Sequence, residues 1–369
     1  MVARLADAPA VTEVLRLEAC QTPGQGIGVL VINYNTARQT LRCLESLQQS
    51  SVLPDWVLVL DNASSSSDYQ HLLNGAKVPK AGVLSIYRSE QNLGFALGSN
   101  VLIDLLLQQS ECQYIMLLNN DAVAEKEMLS ALRTALLAAG DEAGMAGGRM
   151  HKLADPSQVD TLGIALYASL MPADRQTLDD IYVGPTGGCC MFTRALLERL
   201  KAISGYCFDP RFFCYCEDTD LVIRTVLLGY RPLYLDELLA LHEGQASSGG
   251  GYNPFIAYHG LRNTLWMHIK LMPAGLLWRY GFLLLVAHLL MILRHTMAGR
   301  FSLILKVYRG SFQRLPEFLA ERRHLQYHFG VSSKILQSRV TKRFYRPGYV
   351  WLILRNNSFF KYFFSRSKV

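Results

Sequence analysis

The chain lacks several patterns that would assign it to a class at once. Its eight cysteines form no CxxC pair, and the chain has no two Cys/His pairs at the spacing of a zinc site. Residues 1–25 contain acids and no apolar segment, so no secretory signal is expected. These absences predict a reduced, cytoplasmic protein whose cysteines are buried or lie in loops.

Two further absences concern the last part of the chain. The uninterrupted apolar stretch Tyr280–Ala287 is far shorter than the roughly 20 residues that cross a bilayer. Residues 294–369 hold 16 Lys and Arg but only two acids, Glu317 and Glu321, which is a net charge of about +14. Residues 1–293 hold 21 basic and 28 acidic side chains, about −7. This asymmetry indicates a basic tail that faces anions, either membrane lipid or nucleic acid.

Apolar runs and helical patterns alternate through the first two thirds of the chain. Strands are predicted over 27–33, 57–60, 83–87, 114–118, 189–193 and 230–235, and helices from Thr36 and over 94–109, 194–202, 218–228 and 258–269. Residues 147–182 show no clear pattern. Strands that alternate with helices predict an α/β fold with a mainly parallel sheet flanked by helices.

The composition changes near residue 271. Residues 276–293 are rich in Leu, Trp, Tyr and Phe, and aromatic residues then alternate with basic ones, as in 342–346 and 359–364. We expect one or two helices in the membrane interface, with a buried core helix as the alternative. The predicted organisation is therefore a loosely ordered leader (1–25), an α/β domain (26–270) and a basic, aromatic-rich helical region (271–369).

Acids follow two of the predicted strands. Asp61 ends the run that begins at Val57, and Asp121 follows the run that begins at Ile115. The carboxyl ends of parallel strands line the ligand crevice of an open sheet. Asp61 is a candidate for hydrogen bonds to a nucleobase or ribose, with capping of the following Ser-rich loop as the alternative. Asp121 is a candidate ligand for a divalent cation, Mg²⁺ or Mn²⁺, that neutralises a diphosphate, with a turn acid as the alternative.

A third acidic cluster and a histidine complete the set. Glu217 and Asp218 offer a general base for an acceptor hydroxyl, although acids at a helix N-terminus also offset the helix dipole. His242 follows the last predicted strand and is a candidate ligand for metal or phosphate, while a lone histidine at such a place is more often structural.

Seven motifs in this order resemble the family 2 glycosyltransferases with the GT-A fold, in particular their rhamnosyltransferase-like branch. The resemblance spans about residues 27–270. The matching stretches are Val29–Asn35, Val59–Ser64, Asn92–Ala96 with Asn100, Leu117–Asp121, Gly187–Met191, Phe208–Phe213 leading to Glu217–Leu221, and His242.

The resemblance implies inverting transfer from a nucleotide-activated sugar. It places Asp61 at the base, Asp121 at the metal, Asp218 (with Glu217 beside it) at the acceptor hydroxyl, and His242 at the metal or diphosphate. The remaining donor contacts would come from Tyr34, Asn35, Asn92, Gly94, Phe95 and Asn120. The usual Asp-x-Asp metal motif begins here with Asn119, a form common in the rhamnosyltransferase-like branch, so metal binding without nucleotide is expected to be weak. The glycine-rich stretch after Ser247 is typical of a loop that orders over the donor.

These observations predict a metal-dependent glycosyltransferase at the inner face of a membrane. It would add a sugar, for example rhamnose from dTDP-rhamnose, to a lipid-linked or surface-polysaccharide acceptor. The alternatives are a UDP- or GDP-sugar transferase, a sugar nucleotidyltransferase or a nucleic-acid-binding protein. A nucleotidyltransferase would have a glycine- and lysine-rich phosphate loop after the first strand, and here Gly26 and Gly28 do not follow it. Nucleic acid is not an expected partner.

Overall fold

The structure is a computed structural model that describes residues 11–244, 252–329 and 333–348. The strands are β1 (Val11–Glu18), β2 (Ile27–Asn33), β3 (Trp56–Asn62), β4 (Val83–Ser89), β5 (Tyr114–Leu118), β6 (Ala122–Ala124), β7 (Met145–Lys152), β8 (Asp155–Thr161), β9 (Ile164–Tyr167), β10 (Pro172–Asp174), β11 (Cys189–Thr193), β12 (Leu233–His242) and β13 (Val340–Thr341). The α-helices are α1 (Ala37–Leu47), α2 (Ser66–Gly75), α3 (Gly94–Leu107), α4 (Met128–Ala139), α5 (Arg194–Ser204), α6 (Glu217–Leu227), α7 (Pro254–Leu271), α8 (Ala274–Met297), α9 (Phe301–Gln313), α10 (Leu315–Phe329) and α11 (Ser333–Gln337).

A ten-stranded sheet forms the centre of the fold, in the order β1-β4-β3-β2-β5-β11-β7-β12-β6 with β8 beside β7. Strands β4, β3, β2 and β5 are parallel, and Val31 pairs with Val59 in this core. Strand β11 runs antiparallel between β5 and β7, while β12 is parallel to β7 and antiparallel to β6. The predicted α/β class is confirmed, and the sheet is mixed outside its parallel core.

The central strands are apolar on both faces because helices cover both faces. Val29 and Val31 of β2 pack on one side with the apolar residues of α1 and α4. Leu30 faces the other side, where α3, α5 and α6 pack. The near-continuous apolar run of β2 is therefore typical of a doubly covered strand, and its buried polar residue, Asn33, lies at the end of the strand.

The prediction of a loosely ordered leader over 1–25 is wrong for residues 11–18. These residues form β1, which pairs antiparallel with β4 along the edge of the sheet. The segment mixes Val and Leu with Glu13, Arg16 and Glu18, as suits an edge strand with one covered face. The strand was not predicted because its charged residues interrupt the apolar pattern. Charge on an edge strand is nevertheless compatible with pairing.

Residues 145–174, most of which gave no clear pattern, supply four strands. Strand β7 lies inside the main sheet, β8 pairs with it, and β9 and β10 form a small second sheet. The C-terminal strand β13 pairs in parallel with β9, so the chain returns to this side of the molecule after the helices.

Helices α7 to α10 form a packed unit against the sheet domain. Helix α7 contacts α6, α9 and α10, and α8 contacts α9. The predicted boundary at residue 270 therefore falls at the end of α7, inside one helical unit. Within the described ranges, α8 is the helix whose length and composition would allow it to cross a membrane, and only 11% of its apolar window is buried. The length of the uninterrupted apolar run underestimates the length of α8, because the helix continues through Arg279 and His288.

Candidate active site

A cleft of about 940 Å³ lies where the carboxyl ends of the central strands meet the N-termini of α3 and α6. Nine of the residues predicted from the sequence line this cleft: Tyr34, Asn92, Gly94, Phe95, Asn120, Asp121, Glu217, Asp218 and His242. Asn35 and Asp61 lie behind its wall. The fold thus gathers side chains that are up to 208 residues apart, from Tyr34 to His242, at one edge of the sheet.

Sheet pairing brings Asp121 and His242 together. His242 is the last residue of β12 and pairs with Ala122, the residue after Asp121. The imidazole Nε2 lies 3.1 Å from Asp121 Oδ1, and Nδ1 lies 2.8 Å from Asp160 Oδ2. Burial favours the neutral ring, but hydrogen bonds to Asp121 and Asp160 outweigh it and raise the pKa of His242 to about 10. Without a metal, His242 is an imidazolium held between two carboxylates.

The donor atoms here fit the protein part of a divalent metal site. Among residues 11–244, 252–329 and 333–348, no group of three or more His, Cys, Asp or Glu side chains is arranged to hold a metal. Asp121 and His242 nevertheless offer adjacent oxygen and nitrogen atoms, and Asp160 fixes the ring from its other nitrogen, as carboxylates do behind metal-bound histidines. Two protein ligands suit Mg²⁺ or Mn²⁺ that takes its other ligands from substrate phosphates and water.

The loop before α3 is fixed by two asparagines. Asn62, at the end of β3, accepts a hydrogen bond from Leu93 N (2.8 Å) and donates to Asn92 Oδ1 and Gly94 O (3.1 and 3.2 Å). Gly94 has φ of +71°, and a Cβ there would lie 2.5 Å from Phe213 O. A side chain at this position would therefore clash, so the glycine is needed for the close approach of two loops. Asn62 lies inside a motif quoted above but was not itself singled out.

Polar groups behind the cleft wall form a continuous hydrogen-bond chain. Asn33 Nδ2 donates to Asp61 Oδ1 (3.0 Å), Thr40 Oγ1 donates to Asn33 Oδ1 (2.7 Å), and Asn120 Nδ2 donates to Thr40 Oγ1 (2.9 Å). Asp61 is fully buried, its Oδ2 has no hydrogen-bond partner, and Arg88 Nε lies 3.9 Å from it. These hydrogen bonds connect the ends of β2, β3 and β5. Contact of Asp61 with a nucleobase stays a prediction.

Asn35 supports the cleft from outside it. Its backbone has φ of +55°, its amide donates to Ser64 Oγ (2.9 Å), and its Oδ1 accepts from Ser65 N (2.8 Å). These bonds join the loop after β2 to the loop after β3. Direct contact of Asn35 with the donor stays a prediction.

Asp218 is held at the start of α6 with its carboxylate in the cleft. Its Oδ2 accepts from Gly187 N (3.0 Å), and its Oδ1 accepts from Thr219 N (2.6 Å). Burial nevertheless dominates and raises the pKa of Asp218 above its ordinary value. A carboxylate with a raised pKa and free lone pairs is suited to take a proton from a hydroxyl.

Glu217 differs from its neighbour in its surroundings. Its side chain is 6% exposed and its Oε2 has no hydrogen-bond partner. Burial, with repulsion from Asp218, raises the pKa of Glu217 well above its ordinary value. Burial therefore disfavours the charged form of Glu217, whereas two backbone donors favour that of Asp218, so Asp218 is the better general base.

The segment that delivers these acids is strained. Phe213, Tyr215 and Cys216 have φ of 66°, 69° and 69°, although none is glycine. Non-glycine residues in this region cost of order 1–3 kcal/mol each and persist only where surrounding contacts impose them. Such strain next to Asp218 indicates that the backbone path is constrained by the site.

An aromatic wall faces Asp218 across the cleft. Phe213 and Tyr215 contact Phe255 of α7 with ring centroids 6.2 and 6.5 Å apart, and Phe255 contacts His259 at 4.4 Å. The predicted site did not include these residues, because single aromatic residues carry no spacing signal. Asp160 was missed for a related reason: it lies in the segment whose pattern was unclear.

The predicted glycine-rich loop after Ser247 falls largely on residues 245–251, which lie outside the described residues. It stays a prediction.

Comparisons with known proteins bear on this site. Residues 28–201 match the model of the family "Glycosyl transferase family 2". Comparison with curated proteins finds no match. One similar solved structure is a mannosyltransferase, PcManGT from Pyrobaculum calidifontis, in complex with GDP-Man and Mn²⁺ (15% identity, TM-score 0.47, covering 84% of this chain and 88% of that chain). Another is S. aureus TarS 1–349 in complex with UDP-GlcNAc (18% identity, TM-score 0.45, covering 83% and 92%).

Similarity at these TM-scores assigns neither donor nor acceptor. The family match covers β2 to α5, and with them the strand ends that carry Asn62, Asp121 and the Gly187–Gly188 turn. Residues 28–201 of the chain are therefore similar to the glycosyltransferases of family 2.

Proposed function

We propose that the chain is an inverting, metal-dependent transferase that moves rhamnose from dTDP-rhamnose to a lipid-linked or surface-polysaccharide acceptor at the cytoplasmic face of a membrane. One observation carries the proposal: the cleft holds the Asp121–His242 pair and, separately, the partly buried carboxylate of Asp218. The Asp121–His242 pair suits the diphosphate of a donor, and Asp218 suits an acceptor hydroxyl.

The transfer follows from this separation. Asp218 takes the proton of the acceptor hydroxyl while the hydroxyl oxygen bonds to the anomeric carbon of the donor sugar. The bond between that carbon and the diphosphate oxygen breaks, and its electron pair leaves with the nucleotide diphosphate. A cation held by Asp121 and His242 would supply charge neutralisation for the diphosphate. Attack opposite to the leaving group inverts the anomeric centre.

The choice of rhamnose rests on the sequence resemblance, in which Asn119 replaces the first acid of the metal motif. In the structure Asn119 Nδ2 lies 3.2 Å from His242 Nε2, so this amide faces the candidate metal ligands without adding a negative charge. UDP- and GDP-sugars are the alternative donors.

A thermal-shift screen with Mn²⁺ tests the donor. We expect dTDP-rhamnose with Mn²⁺ to raise Tm more than UDP- or GDP-sugars, because a ligand at about 100 times its Kd stabilises by about 2.7 kcal/mol. NMR of the product of a transfer reaction then reports the anomeric configuration. A larger shift and faster turnover with a UDP- or GDP-sugar would replace rhamnose, and retention of configuration would refute the inverting mechanism.

The proposed membrane surface is the outer side of α8. Five apolar residues recur there at helical spacing and are 54% to 92% exposed: Trp278, Phe282, Leu285, Leu289 and Leu293. Arg294, Arg300 and Lys306 follow in the next turns and in α9. An exposed apolar stripe beside basic residues suits the headgroup region of an anionic bilayer, because apolar burial and charge attraction act together.

Flotation with lipid vesicles tests this surface. Removal of the chain after residue 272 would uncover α7, which packs on α9 and α10, so point substitutions are the cleaner perturbation. Phe282→Asp and Leu289→Asp should reduce binding to vesicles of phosphatidylcholine and phosphatidylglycerol. Leu137→Asp on α4, at a leucine 62% exposed, is the matched control and should bind as the parent does. Equal binding by all three variants would refute the membrane surface.

A further inference from the structure

Asn263 of α7 makes an unusual set of contacts with the strained segment before Asp218. The side chain is fully buried. Its Nδ2 lies 2.9 Å from Phe212 O, 2.9 Å from Cys214 O and 2.7 Å from Tyr215 O. Two amide hydrogens are thus shared among three backbone carbonyls that converge on one donor group.

The Phe213 carbonyl, which lies between those of Phe212 and Cys214, points away from Asn263. Phe213 O accepts from Phe95 N (2.7 Å) and Ala96 N (3.0 Å), in the first turn of α3. The carbonyls of residues 212–215 therefore divide between Asn263 and the first turn of α3, which borders the cleft. This division requires the alternating backbone that includes the positive φ of Phe213 and Tyr215.

Arg262 holds the Asn263 amide in the orientation that donates to the carbonyls. Its Nε and Nη2 lie 3.0 and 2.9 Å from Asn263 Oδ1. With its oxygen engaged by a guanidinium, the amide presents its NH₂ group to the segment. An aspartate of the same shape would place a carboxylate oxygen against three carbonyl oxygens.

A second contact from α7 reaches α6, the helix that follows this segment. Lys270 lies seven residues after Asn263, hence on the same side of α7, and is fully buried. Its Nζ lies 2.7 Å from Asp209 Oδ2 and 2.5 Å from Asp220 Oδ1. Asp220 is in the first turn of α6, two residues after Asp218. Helix α7 therefore contacts both the segment that precedes Asp218 and the helical turn that contains it.

We infer that Asn263 is a positioning residue for the transfer reaction: it holds the 212–216 backbone in the path that places Asp218 against the acceptor. The inference rests on the proposed role of Asp218 as base. Asn263 lines no part of the cleft and acts only through the backbone. A shift of about 1 Å in a reacting group costs about 10²-fold in rate, so loss of this amide should act mainly on kcat.

The test compares Asn263→Asp with Asn100→Asp. Asn100 is also a buried asparagine, 2% exposed, and exchanges two hydrogen bonds with the backbone of Phe208, upstream of the strained segment. Both variants lose an amide donor to backbone, and thermal unfolding reports their losses of stability. We expect Asn263→Asp to lower kcat at least about 10-fold while the Kd of dTDP with Mn²⁺ stays within about 3-fold. We expect Asn100→Asp to keep kcat within about 3-fold at a comparable fall in Tm.

Three outcomes would overturn the inference: parental kcat in Asn263→Asp, a loss in nucleotide affinity as large as the loss in kcat, or an equal loss of kcat in the control. If Asn263→Asp does not fold, Asn263→Ser keeps a shorter donor and is measured in its place, with the same thresholds. Activity of the parent chain with dTDP-rhamnose is measured first. An inactive parent refutes the proposed donor, and the comparison is then made with whichever nucleotide-sugar supports turnover.

Discussion

Replacement of Lys270 by methionine tests how the helical unit is joined to the catalytic domain. Lys270 is fully buried in a cluster with Asp209 and Asp220, and a third carboxylate, that of Glu321 in α10, lies 3.9 Å from its Nζ. The cluster also contains Arg211 and Arg224. Three cations thus face three anions in the interior, and Lys270→Met leaves three anions with two cations.

The size of the loss of stability in Lys270→Met follows from the ion pairs that remain in the cluster. Removal of one partner of a buried ion pair costs about 3–5 kcal/mol, because the other charge stays buried. Asp209 keeps Arg211 at 2.5 Å and Asp220 keeps Arg224 at 2.8 Å, so each carboxylate loses only one of two cations. We therefore expect the lower end, about 3 kcal/mol, which corresponds to a fall in Tm of about 4 °C for a chain of this size.

The loss should also depend on pH. Burial disfavours the Asp209 carboxylate, but Lys270 and Arg211 outweigh burial and hold the pKa of Asp209 well below its ordinary value. In the parent chain this stabilisation is present above the unfolded-state pKa of about 4 and is lost as pH falls through the folded value. Without Lys270 the folded pKa of Asp209 is higher, so the variant takes up a proton sooner. The deficit in the free energy of unfolding should therefore be larger at pH 7 than at pH 4.

Urea unfolding at both pH values, followed by circular dichroism, measures this deficit. Lys201→Met is the control: Lys201 pairs with Asp104 at 2.6 Å on the surface, with side chains 38% and 33% exposed. Such exposed pairs contribute about 0–1 kcal/mol. The reasoning is refuted if Lys270→Met is no less stable than Lys201→Met at pH 7, or if its deficit grows as the pH falls.

The remaining predictions concern the cleft. Asp121→Ala should abolish the stabilisation by dTDP with Mn²⁺ in thermal shift and lower kcat by at least about 10²-fold, since the diphosphate loses its cation; Asp141→Ala, at an exposed acid, should change neither. Asp218→Asn should lose about 10²–10⁴-fold in kcat with little change in the Kd of dTDP by calorimetry, and Glu217→Gln should lose less. Because burial raises the pKa of Asp218, kcat of the parent should rise with pH through a value above that of an ordinary aspartate. A flat profile from pH 4 to 8 would contradict that role.

The elements that the sequence predicted well are those whose pattern is local. Apolar runs located the strands of the parallel core, and β2 has the predicted bounds, 27–33. Elements that depend on distant partners were harder to predict. The helix predicted from Thr36 is α1, but the Thr36 side chain makes no cap hydrogen bond, and Asp68 Oδ1 instead accepts from Ala37 N at 2.9 Å. A cap supplied from 31 residues away leaves no local pattern.

The same distinction applies to the site. Strand ends predicted that Asp121 and His242 would share one edge, because parallel strands end together. Sheet pairing through β6 brings them within 3.1 Å, and a short antiparallel strand of three residues could not be predicted from its composition. Asn263 gave no signal, because one asparagine inside an apolar helix is compatible with solvent, with a neighbouring helix or with a backbone contact.

The assembled cleft has two halves of different origin along the chain. The family match ends at residue 201, after the proposed donor-binding residues up to Asp121 and before His242 at the end of β12. Asp218 and the aromatic wall come from residues beyond it, and their positions depend on α7, which α9 and α10 cover in turn. Glu321 of α10 reaches Arg211 and Tyr206, beside the segment that leads to Asp218. The half of the cleft that we propose binds the acceptor is therefore built on the same helical unit that carries the exposed stripe of α8. A membrane that binds this unit would act on the part of the cleft where a lipid-linked acceptor has to enter, rather than on the donor side.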